Sequence, residues 1–135
     1  MANIQDHQYA EDARVDFNTG QVRINTDWGV TNLTINSQQR VFKAAKDGYV
    51  SNFALTSTDM DTNAIPTLTI DVGTEANDDA FMAAATSGQA GVSSIANVAE
   101  RVLLAEGEYV IISIKAASAT AAAGSTQLSF NFTVL

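Results

Sequence analysis

The first residues to weigh for chemistry are Asp59-Met60-Asp61-Thr62-Asn63, in which Asp59, Asp61 and Asn63 carry side-chain oxygens at alternate positions. Hard cations are held by such oxygens, and a calcium-binding loop opens with this alternation. The complete motif also needs glycine at its sixth position and glutamate at its twelfth. Counted from Asp59, those positions hold Ala64 and Ile70, so the segment reads first as a solvated turn and only weakly as a calcium site. The pair Asp78-Asp79 raises glycoside hydrolysis, which needs two carboxyls facing each other across a sugar. Adjacent side chains diverge, and acids at a helix start complement its dipole, so a capping role is expected there instead. His7, the single histidine, has no rigid partner nearby in sequence to make a nucleophile–base device. Trp28, Tyr9, Tyr49 and Tyr109 are either a sugar-stacking platform or an ordinary aromatic complement. The expectation is a non-enzyme with no cofactor and no catalytic residue.

The scaffold that would position these groups is bounded by composition. With 135 residues, 46% of them hydrophobic, the chain suits one domain with a sizeable core. Cysteine is absent, which removes disulfides, thiol nucleophiles and thiolate-bound metals. Seven Lys and Arg stand against fifteen Asp and Glu, a net charge of −8. Such a surface repels phosphates and anionic headgroups, so neither nucleic acid nor membrane is an expected partner. No run reaches the ~18–20 apolar residues of a membrane span. The polar start, residues 1–8, lacks the basic and apolar regions of a secretion signal, and synthesis in the cytoplasm is expected.

The hydrophobic pattern has period two. In residues 108–115 the apolar positions are Val110, Ile112 and Ile114; in 127–134 they are Leu128, Phe130, Phe132 and Val134. Side chains of a strand alternate faces, so both runs predict strands with one wet face. Further strands are predicted at 29–35 (Leu33 and Ile35 on one face), 40–44, 49–55, 67–72, 92–96 and 101–104, with a hairpin at 15–24 turning at Asn18-Thr19-Gly20. A short helix is expected near 78–86, capped by Asn77 or Asp78. The run Ala116 to Ser125 has helix propensity but is short and uncapped, and is read as a long hairpin loop of small residues. Residues 1–14 form a polar arm, extended or disordered, and 15–135 one domain. Together these predict an all-β antiparallel sandwich, jelly-roll-like, with about eight strands.

The segment Leu68-Thr69-Ile70-Asp71-Val72-Gly73-Thr74-Glu75, followed by Asp78-Asp79-Ala80-Phe81, resembles a stretch of small phage head proteins. The terminal layout, a Gly-Glu-Tyr-Val-Ile-Ile strand, a small-residue loop and a last apolar strand, is also similar. The resemblance, over about residues 49–135, is to the capsid decoration or cement proteins of tailed phages. It implies a homotrimer on the outer capsid surface of the virion, bound to the major capsid protein and stabilising the expanded shell. Contact residues are then expected in the arm (Ile4, His7, Tyr9) and in the small-residue loop (Ala119, Ala121, Ala122). A head fibre, a tail-tip receptor binder and a carbohydrate-binding module remain alternatives, the last requiring an accessible Trp28.

Overall fold

Alternation of apolar side chains sets the architecture, because each strand must bury one face. The computed structural model describes residues 4–10, 19–89, 94–96 and 102–135, with the backbone alone described in 4–10 and 94–96. Its strands are β1 (Ile4–Ala10), β2 (Thr19–Trp28), β3 (Gln38–Lys43), β4 (Gly48–Ser57), β5 (Thr69–Gly73), β6 (Met82–Ala85), β7 (Ser94–Ala96), β8 (Val102–Leu104), β9 (Tyr109–Ala116) and β10 (Gly124–Val134). Two sheets result, ordered β1-β3-β9-β5-β6 and β2-β10-β4-β7, with β8 also on β4. β7 pairs with Phe53–Leu55 and β8 with Gly48–Val50, so the two occupy one strand position along β4. Apart from β1, which runs parallel to β3, eight antiparallel positions remain, and β2, β3, β4 and β5 alternate between the sheets. That winding is a jelly-roll-like sandwich, the fold class expected.

The core lies between the sheets. Phe130 stacks on Phe53 at 4.9 Å between centroids and meets the edge of Phe42 at 5.3 Å, while Phe53 stacks on Phe81 at 4.5 Å. The predicted inner faces of β9 and β10 are buried, except that Val134 is half-exposed. Ile111 and Ser113, on the other face of β9, are buried too, so the wet face expected there is missing at mid-strand.

Several local expectations are corrected. Residues 78–86 hold no helix: a turn leads into β6, with Phe81, Met82 and Ala85 buried. Ala84 has φ 51°, and its N–H donates to the buried Asp71 Oδ1 at 2.7 Å. Pairing with β5 and three buried side chains outweigh a helical nucleus too short to sustain itself. Asp78-Asp79 therefore sits on a turn and caps nothing. Residues 29–35 are no strand either: a 3-10 turn spans Val30–Asn32, Leu33 is buried and Ile35 points to solvent. Thr19 and Gly20 belong to β2, paired with Thr133 and Phe132, rather than to a turn; the rest of that proposed hairpin, 15–18, lies outside the described residues. Finally, β9 and β10 do not pair; they lie in opposite sheets, and residues 117–123 cross from one to the other.

Gly73 closes β5 where the next turn folds back over it. A Cβ there would overlap the backbone of Asn77 and Asp78, and that turn is held by the Thr74 N–H on the Asn77 carbonyl at 2.8 Å. Gly73→Ala is expected to destabilise by about 1–3 kcal/mol through overpacking against backbone, read as a lower melting temperature.

Candidate interaction surface

Four inter-strand connections gather at one pole of the sandwich: 29–37, 58–68, 86–89 and 117–123. The partners of their neighbouring strand ends place them together, since Trp28 faces Gly124, Ser57 faces Thr126 and Thr69 faces Ala116. The loop 117–123 is built of Ala, Ser and Thr, whose side chains satisfy few backbone donors. Those donors must find acceptors elsewhere.

Asp61 supplies them. Its side chain is buried, at 1% exposure. Oδ2 accepts the N–H groups of Thr67, Ala119 and Leu68 at 2.8, 2.9 and 3.1 Å. Oδ1 accepts those of Thr120 and Asn63 at 3.0 and 3.3 Å. Burial by itself would raise the Asp61 pKa; the N–H groups of Thr120, Ala119, Thr67 and Leu68 outweigh it and hold the carboxyl well below the usual carboxylate range. Its neighbours continue the clamp. Asp59 Oδ1 accepts the Asp61 N–H at 3.1 Å, and Asn63 Oδ1 accepts the Ile65 N–H at 2.9 Å. Asn63 Nδ2 donates to Thr120 Oγ1 at 2.9 Å, and Ser118 Oγ donates to the Met60 carbonyl at 3.0 Å. On the far side of the same loop, the Ser118 N–H reaches the Leu33 carbonyl at 3.4 Å.

The alternating carboxylates are thus spent on backbone donors, and Asp61 sits in no solvated turn. Five N–H groups aimed at one carboxylate put positive partial charge where a cation would have to enter. Calorimetry with millimolar calcium is expected to give no binding heat, and a saturable heat would contradict this assignment of the oxygens.

Of the proposed contact residues in this loop, Ala119 is exposed, whereas Ala121 and Ala122 are half-buried and Ala121 packs on the core. Ile4, His7 and Tyr9 lie in β1, beside β3, with side chains outside the description. The two groups share the pole only at Ile4, which pairs with Gln38 at the start of β3. Trp28 is 1% exposed and donates from Nε1 to Thr126 Oγ1 at 3.1 Å, so it cannot stack on a sugar. Tyr109 instead lies under Arg40, whose guanidinium is 4.8 Å from the ring centroid. Sequence reasoning missed the clamp, although its trace was present: Asp or Asn two residues before a needy N–H is the Asx-turn pattern, repeated at 59, 61 and 63.

No protein-family model matches the chain, and no curated protein matches it. Solved structures do. A chain of the capsid asymmetric unit of cyanophage Pam1 is 26% identical, over 87% of this chain and 86% of that one, with a TM-score of 0.78. A chain of the capsid of Ralstonia phage GP4 matches over 98% of both chains, at 21% identity and a TM-score of 0.78. A chain of the acidic stable capsid of Helicobacter pylori bacteriophage KHP30 shares 12% identity over 86% of this chain and 93% of that one, with a TM-score of 0.60. The similar folds are those of phage capsid proteins, and the two lower identities speak to fold alone.

Proposed function

We propose that the protein is a capsid decoration protein, which binds the outer surface of a phage head and stabilises the expanded shell as a homotrimer. The observation that carries this reading is the near end-to-end correspondence, at 26% identity, with a chain of a phage capsid asymmetric unit. A component of that size has no room for a second function beside the sandwich. The net charge of −8 favours the outside of the shell over the inside, where packaged DNA would repel it. Binding the expanded lattice and not its precursor stabilises that state by mass action, and several linked copies raise the effective concentration of each contact. No nucleophile–base pair is built at the loop pole, whose one buried carboxylate is committed to backbone, so the role is structural. Residues 1–14 act as the attachment arm in this reading, with Ile4, His7 and Tyr9 toward the shell and Ala119, Ala121 and Ala122 at subunit contacts.

Quantitative mass spectrometry of purified virions tests it. The expected result is a copy number equal to the major capsid protein or a simple fraction of it. A handful of copies per particle would instead mean a fibre or tail component, and absence from the particle would overturn the reading altogether.

A further inference from the structure

The sandwich is polarised along its strands. The four loops of the pole described above contain two charged residues, Asp59 and Asp61, and Asp61 is buried. Asp27 and Lys115 stand on the adjoining strand ends. The opposite pole, loops 44–47, 74–81 and 105–108, holds Lys46 against six carboxylates at positions 47, 75, 78, 79, 106 and 108. Arg40 answers one of them, with Nε 2.9 Å from Glu75.

Exposed apolar side chains follow the reverse order. Five large ones are exposed among the described residues, and three stand on the uncharged pole: Val30 at 51%, Ile35 at 62% and Ile65 at 79%. Scattered exposed aliphatics need no explanation, but three on neighbouring, charge-poor loops have the composition of an interface centre. The loops are also tied down, because 117–123 is bonded to 58–68 through Asp61 and to 29–37 through Leu33. A surface ordered before contact loses little entropy on docking.

From this polarity we infer that the uncharged pole is the face that docks on the capsid shell, with Val30, Ile35 and Ile65 as its apolar contacts and the acidic pole directed to solvent. The inference rests on the decoration reading and specifies its interface. The occupant is a charge-poor, apolar patch of a shell subunit, for two reasons. A −8 protein packed at high density on a lattice minimises repulsion from its neighbours and stays solvated when its carboxylates face outward. The arm assigned to attachment also enters the fold here, since β1 begins at Ile4 beside Gln38, at the edge of loop 29–37.

Two experiments on expanded heads lacking this protein test it. In the first, Ile35→Lys with Ile65→Lys should weaken binding at least about tenfold, while Leu103→Lys, away from this pole, should bind as the unaltered protein does. In the second, the absence of cysteine allows a single reporter thiol: Ala64→Cys should become unreactive to maleimide on the head, and Glu106→Cys should stay reactive. Equal binding by the double variant, or equal labelling of both thiols, overturns the docking face and leaves the decoration reading standing. No binding by the unaltered protein overturns the decoration reading itself. If the double variant loses head binding only because sedimentation shows that it no longer self-associates, the occupant is a second copy and not the shell. The labelling experiment uses exposed loop positions and stands even where the lysine variants fold poorly.

Discussion

Asp61→Ala is expected to lower stability by about 3–5 kcal/mol, because it strands several buried backbone donors at once and each unpaired one costs roughly 1–3 kcal/mol. The donors of Thr67, Leu68, Ala119 and Thr120 lose their acceptor together, and with it the link between 58–68 and 117–123. Some will recover a bond to water as the loops part, which is why the sum falls short of four full penalties. For a chain of this size the melting temperature should drop by about 10–20 °C. Asp61→Asn is the sharper probe, since it keeps the shape but turns an NH2 group toward N–H donors whichever way the amide is oriented. Its effect carries a pH signature. The folded-state pKa of Asp61 lies below its unfolded value, so ionisation stabilises the native state. That contribution is complete above the unfolded pKa of about 3.9 and is lost as pH falls below it, toward the folded value. Thermal melts at neutral pH and near pH ~3 should show the gap between Asp61→Asn and the unaltered protein narrowing on acidification. A gap independent of pH would mean that the charge on Asp61 does not supply the stabilisation.

The second large effect is in the core. Phe130→Ala should destabilise by about 3–5 kcal/mol, the range for removing a buried aromatic ring from a packed interior. Phe130 is 1% exposed and touches both sheets through the ring stack on Phe53 and the edge contact with Phe42. The void would open between the sheets, where strands paired along their whole length have little freedom to collapse into it. Phe130→Leu, which keeps most of the volume, should cost about 1–1.5 kcal/mol and separates the cavity from the lost aromatic geometry. Chemical denaturation reads both, and equal losses for Ala and Leu would show that shape rather than volume dominates at this site.

These two residues divide on how far the sequence announced them. Phe130 is part of an alternating run, and alternation is a local property of the chain that survives into any sheet, so its burial followed from its neighbours at 128 and 132. Asp61 looks like a polar loop residue at short range. Its partners Ala119 and Thr120 are 58 and 59 residues away in sequence, and only the meeting of the loops makes it a buried acceptor. The same long-range pairing decided residues 82–85: the alanine run has helix propensity, but an open edge on β5 and a stack of Phe81 on Phe53 made it a strand.

The sequence by itself determined the fold class, the inner faces of β9 and β10, the acidic surface and the lack of thiol chemistry, because each depends on residue type and spacing alone. Which strands pair, that β9 and β10 part into opposite sheets, and that the uncharged loops meet at one pole were decided by tertiary structure. Those are contacts between distant segments, and their free energy exists only once both sheets have closed over a common core.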